Sequence, residues 1–366
     1  MCGDMDTVSG GYLYNRKLVS YLQSRGDEVT IISLPPHSYW RHLLDNFGQS
    51  CLRHIAAANI DILIQDAMVH PSVFLLNGHL GRQLGIPVIS LIHLLTSFDR
   101  HPCYGAWFYR AIERRYLKSV DSIIANSQTT LEQARELLNC QLPRHCVAVP
   151  AGDNFADAGI DFDTVSQRAL TPGPLKILVV GNVIRRKGLH VLINALRQLP
   201  ADDFQVTVAG RLDMEPRYVD QILKLIRSSE LRERITLLGP LRGQALADLY
   251  GQHHLMVLPS AYESYGIVYV EAQQFGLPVI GTKAGAAKEI ISQGDNGYLI
   301  NPEDQHALAK FLQNLHDDRQ LLLTMSRNAL VAYARQPRWE DSCETIRQYL
   351  HATVKERCTS WRRHAP

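Results

Sequence analysis

The chain reads as an α/β protein built from two doubly wound, Rossmann-like domains, and three observations predict this. Short apolar runs alternate with amphipathic stretches closed by glycine, the pattern of buried parallel strands joined by helices. The alternation stops over 151–174, which is polar and broken by Gly and Pro, and restarts at Leu175 with KILVVGN. A length of 366 residues, 46% of them hydrophobic and 20% charged, suits a globular protein of two domains. The expected division is an N-terminal domain over 1–160, a linker over 161–174, a C-terminal domain over 175–337 and a terminal helix over 338–366.

Taken in order, residues 1–9 carry no strand pattern. Gly10-Gly11 opens a helix over 12–24 that Gly26 ends. A strand follows over 28–33, a helix over 39–58, a strand over 61–65 and a helix over 71–84 stopped by Gly85. The buried strand 87–92 delivers His93 at its carboxyl end. A helix then runs to 120, a strand covers 122–125, Asn126-Ser127 can cap the next helix, and 146–149 is the last strand of this half. In the second half strands are expected near 177–180, 205–209, 234–237, 255–258 and 278–280. Helices over 305–315 and 319–334 close it, and Trp339 begins a last helix to about 356.

The chemistry concentrates in PSAYESYGIVYVEAQQFG, residues 259–276. An apolar run, LMVLP, ends at Pro259. A polar loop follows, and then a helix over about 265–275 that Gly276 stops. Glu263 falls in the loop and Glu271 in the helix. If the helix starts near Gly266, Glu271 lies roughly 7 Å along it at 1.5 Å per residue. The backbone N–H groups at Tyr265, Gly266 and Ile267 are then placed to take an anion. A nucleoside-diphosphate sugar matches this set, with Glu271 on ribose hydroxyls, the helix end on the diphosphate and Glu263 toward the sugar. Arg185, Arg186 and Lys187 follow the strand at 177–180, where doubly wound sheets bind ligands. There they would stabilise the negative charge of a departing diphosphate; a solvated basic loop is the other reading of the same three residues.

GNVIRRKGLHVLINAL, then Glu263-x7-Glu271, then GLPVIGTKAGAAKEIISQGDNGYLINPED together resemble, in order and spacing, the retaining GT-B glycosyltransferases of family 4, most closely over about 176–304. The resemblance implies a GT-B fold, with two Rossmann-like domains facing one another across a cleft and a terminal helix that crosses back onto the N-terminal domain. It implies transfer of a sugar from a nucleotide-diphosphate donor to a hydroxyl acceptor with retention, by a front-face displacement in which the leaving diphosphate assists the incoming hydroxyl. Glu263 would orient the sugar, Lys187 and a neighbouring Arg would hold the diphosphate, Glu271 would hold ribose, and His93 would contact the sugar. His93 also reads as a structural histidine. Gly10 and Gly11 resemble the family's glycine-rich loop beside donor or acceptor, and a plain turn fits them equally. Gly285 and Glu289 match a loop and helix start beside the nucleotide, although Glu289 also favours its own first helical turn. The chain departs from the family at Asn182, where many members carry Arg directly after the strand glycine, so Arg185 or Arg186 is expected to substitute.

The donor is the only small molecule this reading requires; no cofactor is implied. No HExxH or similar ligand spacing points to a metal. A formal net charge of +2 makes no case for nucleic acid. The expected acceptor is a sugar or lipid-linked sugar, in glycan, glycolipid or cell-surface polysaccharide synthesis. Two other readings stand beside this one. A sugar-nucleotide epimerase shares the architecture but not the E-x7-E spacing, and a non-catalytic glycosyltransferase-like partner would not need the site residues. A nicotinamide dehydrogenase fails for want of GxGxxG after a strand.

RHPCYGAWFYRAIERRYLK, residues 100–118, mixes aromatics with Arg and Lys. It reads either as a surface for an anionic membrane or a lipid-linked acceptor, or as an ordinary amphipathic helix. The seven cysteines are scattered without a CxxC pair, and 1–9 lacks the apolar region of a signal peptide. The expectation is a cytoplasmic protein; peripheral contact with the inner face of the membrane is the alternative that 100–118 leaves open. Residues 1–9 also cannot form the buried first strand that the resemblance implies, so an apolar strand of about five or six residues is expected to be encoded upstream.

Overall fold

A computed structural model describes the chain from residue 1 to 364, except 2, 4, 6, 8, 49–52, 54, 56, 59, 82–84, 99–105 and 156–158, and the side chains of 106 and 357–364. It divides into two units, Met1–Pro150 with Trp339–Pro366, and Ala151–Arg338.

The first unit holds a parallel sheet of β1 (Leu63–Asp66), β2 (Val88–Ile92), β3 (Ser122–Ala125) and β4 (Arg144–Val147), in that order. VISLI and SIIA are buried at every position, as strands covered on both faces must be. Helix Gly10–Ser24 starts at Ser9, whose side chain accepts from Tyr12 N. Ser127 caps helix Gln128–Leu138 in the same way, and Asn139 in the left-handed region ends it. The last helix, Trp339–His364, belongs to this unit and packs on helix Gly10–Ser24. The Trp339 ring meets Tyr14 edge-on at 5.4 Å, and Tyr14 OH donates to Ala148 O at 2.7 Å.

The second unit holds six parallel strands, β5 (Leu175–Val180), β6 (Phe204–Ala209), β7 (Ile235–Gly239), β8 (Leu255–Val257), β9 (Val279–Thr282) and β10 (Gly297–Ile300), in the order β10-β9-β8-β5-β6-β7. The chain builds outward from β5 to β7, then returns to the other side of β5 with β8. In doubly wound sheets this reversal is where ligands bind, outside the carboxyl ends of the strands.

Several local expectations differ from what is found. Among the described residues, 28–33 join no strand ladder, because a strand is defined by its partners. Of the helix expected over 39–58, Tyr39–Leu44 is helical and runs into a short 3-10 turn, Asp45–Phe47, before Gly48 in extended backbone interrupts it; residues 53, 55 and 57 are helical again, and 49–52, 54 and 56 lie outside the described residues. The helix expected over 71–84 is broken into short turns, His70–Val73 and Asn77–His79, the second running on as a π turn over 80–81; residues 82–84 lie outside the described residues. β10 carries only three apolar residues and was not anticipated. Within 161–174 there is a helix, Phe162–Leu170, capped by Asp161 and burying Val165 and Ala169. Its Arg168 donates to the carbonyls of Gly251, Phe275 and Gly276, which end two other helices. Cys2, Cys51, Cys103 and residues 100–105 lie outside the described residues.

Candidate active site

β5 and β8 lie side by side, and the loops leaving their carboxyl ends are stitched together. The loop after β5 contains the 3-10 turn Arg185–Lys187 and ends at Gly188 with φ 72°. Ala261 N donates to Arg186 O at 2.7 Å. A Cβ on Gly188 would stand 2.1 Å from the Pro259 carbonyl oxygen, so only glycine allows the two backbones to approach. This contact sets Lys187 against the loop after β8. Lys187 Nζ donates to Glu263 Oε1 at 2.5 Å, and Ser260 Oγ donates to the same oxygen at 2.8 Å. Arg186 Nη1 lies 3.8 Å from it and donates to Tyr262 O at 3.0 Å. The Glu263 backbone is pinned as well. Its N–H donates to Ala284 O, its carbonyl accepts from Ala286 N, and it bridges to Gly285. That explains why the Lys283–Glu289 stretch belongs with the motif.

Burial would by itself raise the Glu263 carboxyl. The charges of Lys187 and Arg186, with the hydrogen bonds from Lys187 and Ser260, outweigh it and hold the group below the usual carboxylate range. Glu263 is therefore a buried, ionised carboxylate. Arg185 is not part of this group: its side chain is exposed and its backbone N–H donates to Glu215 at 2.9 Å.

Helix Ile267–Gln274 begins directly after Gly266, which has φ 101°, and no side chain caps it. Tyr265 and Ile267 are buried beside that end, and burial pushes the Tyr265 phenol up. Glu271 sits inside the helix and is buried. Its Oε1 accepts from Asn154 Nδ2 at 2.7 Å and its Oε2 from Tyr250 OH at 3.0 Å. Burial pushes this carboxyl up against the pull of those two hydrogen bonds. The two glutamates of the motif thus stand in unlike settings, one charge-paired and one among neutral donors.

In the first unit His93 follows β2 and is buried. Asn15 Nδ2 donates to Asp66 Oδ2 at 2.9 Å, so its Oδ1 faces His93 Nε2 at 2.8 Å and Nε2 carries the proton. Asp66 Oδ2 is 4.0 Å from the same ring nitrogen. Burial lowers the His93 pKa and the Asp66 charge only partly offsets it, leaving a neutral imidazole. Gly11 lies against this ring, and a Cβ there would be 3.3 Å from His93 Cδ2. Gly10 and Gly11 are the first two residues of their helix.

Lys187, Arg186, Glu263 and the uncapped end at Gly266 come together in one unit, and His93 with Gly11 in the other. Asn154, Tyr250, Asn15 and Asp66 were not anticipated. Asn154 is 117 residues from Glu271 and Tyr250 is 21 away, so no local pattern marks either.

Residues 162–336 match the family Glycosyl transferases group 1, and residues 8–152 match Glycosyltransferase Family 4. This chain belongs to the family 4 glycosyltransferases, the retaining GT-B group. A D-inositol 3-phosphate glycosyltransferase of Pseudarthrobacter chlorophenolicus is 28% identical over 248 residues, which are 66% of this chain and 58% of that relative. The chain thus spans little more than half the length of that curated relative. Its GT-B fold is shared with sucrose-phosphate synthase from Thermosynechococcus elongatus, at a TM-score of 0.80 and 20% identity over 97% of both chains. It is shared too with Anabaena Alr3699/HepE in complex with UDP and glucose, at 0.74 and 19% over 96% of this chain and 98% of that one.

Proposed function

We propose that this family 4 glycosyltransferase moves a glycosyl group from a nucleoside-diphosphate sugar to a hydroxyl acceptor with retention of configuration. The observation that carries the reading is the buried, ionised Glu263 clamped by Lys187 beside an uncapped helix end, with Glu271 further along the same helix. Lys187, donating to Glu263, places its ammonium charge at this point for the phosphate oxygens. Arg186 adds a second charge, and together they stabilise the diphosphate as its bond to the sugar breaks. Glu263 accepts from sugar hydroxyls and fixes the ring. Glu271 accepts from ribose hydroxyls. The acceptor hydroxyl gives its proton to the leaving diphosphate oxygen on the same face. Neutral His93, its Nε2 proton committed to Asn15, is not set up as a general acid.

UDP-glucose is the donor to try first, since the fold neighbour Alr3699/HepE is described with it. Incubating the chain with UDP-, GDP- and ADP-sugars and a panel of polyol, sugar and lipid-linked acceptors, and reading the product anomer by NMR, tests the proposal. Transfer with retention supports it; isomerised nucleotide sugar without acceptor would replace it by an epimerase.

A second observation supports contact with a membrane. Helices Tyr39–Leu44 and Ala106–Leu117 are joined by aromatic contacts, with Trp40 stacked on Phe108 and Tyr39 edge-on to Tyr109. Trp40, Phe47 and Trp107 are 62%, 80% and 74% exposed, and Arg41, Arg114, Arg115 and Lys118 are exposed on these elements. Aromatics beside cations suit the interface of an anionic bilayer. Co-sedimentation with phosphatidylglycerol vesicles but not phosphatidylcholine vesicles, lost in a Trp40→Ser/Trp107→Ser double variant, is the expected result. Among the described residues no helix is long and apolar enough to cross a membrane.

A further inference from the structure

Ser260 stands three residues ahead of Glu263 in the turn PSAYE, and the pair has the S-x-x-E spacing of a helix capping box. In a capping box each side chain takes the other residue's backbone N–H. Here both N–H groups go elsewhere: Ser260 N donates to Leu258 O at 2.8 Å and Glu263 N to Ala284 O at 3.3 Å. The next helix begins only at Ile267. The two side chains bond each other instead. Ser260 Oγ donates to Glu263 Oε1 at 2.8 Å, and both residues are buried. Three neighbouring elements fix the serine. Thr282, at the end of β9, donates through Oγ1 to Ser260 O at 2.6 Å. Ser260 N closes back on Leu258, the residue after β8, and the following Ala261 N ties the turn to Arg186 O in the loop after β5.

The Glu263 carboxylate is used unevenly. Lys187 Nζ and Ser260 Oγ both donate to Oε1, and Arg186 lies nearest that same oxygen. Oε2 accepts from none of the described residues, and it is not sealed off from solvent. Tyr269, the other titratable group facing Glu263, is buried, which pushes its phenol well up and leaves it uncharged. The three groups around Oε1 respond differently to a diphosphate. Lys187 and Arg186 are cations, so a second anion beside them shares their attraction with Glu263. Ser260 is uncharged, enclosed and anchored through its backbone, so its bond to Oε1 is the one a diphosphate does not draw on.

We propose that Ser260 is a positioning residue for the donor sugar: its hydroxyl keeps Glu263 Oε1 turned inward while Lys187 and Arg186 take up the diphosphate, so that Oε2 stays presented to the sugar hydroxyls. This rests on the donor site proposed above and adds to it a residue that touches neither sugar nor phosphate. The preference of the site for a nucleotide sugar over the bare nucleotide then depends on Ser260, while the binding of the diphosphate does not.

Calorimetric titration of the full chain with UDP and with UDP-glucose reads the two separately. Ser260→Ala is expected to weaken UDP-glucose by roughly tenfold, the scale of one hydrogen bond to a charged group, and UDP by less than about threefold. Ser260→Cys keeps the bulk and a weak donor and should fall between; if Ser260→Ala does not fold, the cysteine variant carries the same comparison. In a Glu263→Gln background Ser260→Ala should add less than about twofold, because both changes act through one carboxylate. Equal losses for UDP and UDP-glucose would overturn the proposal, since a distorted loop weakens both. So would an unchanged affinity for UDP-glucose, or a loss that survives undiminished in the Glu263→Gln background. A wild-type chain that binds neither UDP and UDP-glucose nor their GDP and ADP counterparts would overturn the donor site itself, and the role of Ser260 with it.

Discussion

Lys187 is the side chain on which the proposed reaction depends most, because it is the cation bonded directly to Glu263. Lys187→Ala is expected to lower transfer by about two orders of magnitude, the loss seen when one preorganised charge is removed. Arg186→Ala should follow with a smaller loss and Arg185→Ala with little, since only Arg186 approaches Glu263; steady-state kinetics on the three variants check the order. Glu271→Gln keeps the shape but removes the charge offered to ribose. It should raise the donor KM by roughly tenfold, the equivalent of about 1.4 kcal/mol, with kcat changed far less. His254 gives a pH signature independent of activity. It is buried, its Nδ1 accepts from Lys176 N at 2.9 Å, and burial pulls its pKa down to about 3. In the unfolded chain the same group has a pKa near 6.5. Between those values the unfolded chain takes up a proton that the folded chain refuses, so stability falls as pH drops from 7 toward 5. The His254 share of that fall is about 2 kcal/mol. His254→Asn keeps an acceptor in place without titrating, and urea unfolding at pH 7 and pH 5 should show a correspondingly smaller difference.

The loop–helix element from Pro259 to Gln274 works because its turn is made by a glycine no other residue can replace. Gly266 has φ 101°, and a Cβ there would stand 2.4 Å from the Tyr269 ring. Gly266→Ala forces either a shifted ring or a reset helix start. A strained backbone of this kind costs about 1–3 kcal/mol, and the displaced first turn should also weaken donor binding. Thermal unfolding and donor titration of the variant read both effects. The neighbouring element that proved more than a connector is helix Phe162–Leu170. Arg168→Ala would leave the carbonyls ending two other helices without their partner, although the polar character of 161–174 suggests no such role.

The chain enters its second unit after Pro150 and returns to the first at Trp339, so the first unit is completed only by a segment that follows the whole of the second. Trp339 is 5% exposed against Tyr14, Ser342 Oγ donates to Val149 O, and Arg347 pairs with Asp27 at 2.6 Å. Trp339→Ala is expected to cost the first unit about 3–5 kcal/mol. Denaturant unfolding followed by hydrogen exchange at β2 and β3 would show the loss there and not in β5–β9. The exposed pair between Arg25, at the end of helix Gly10–Ser24, and Glu340 of the last helix should contribute little when removed.

The local code was legible before any fold was known. The alternation of apolar runs and glycine-closed helices marked β2, β3, β5, β6, β8 and β9 to within about two residues, because burial on both faces and helix stops are written in neighbouring residues. Glu263 and Glu271 stood out for the same reason: their spacing is local, and the segments around them carry the family pattern. Tertiary structure alone decided which arginine stands beside Glu263, since Arg185 and Arg186 are adjacent in sequence and part only when Ala261 bonds to the Arg186 carbonyl. It also decided the unlike settings of the two glutamates. Lys187 is 76 residues from Glu263 and Asn154 is 117 from Glu271, and burial sets the balance at both. It decided, finally, that 28–34 stands apart from β1. Strand character belongs to the residues, but a strand exists only where another backbone lies alongside to take its hydrogen bonds.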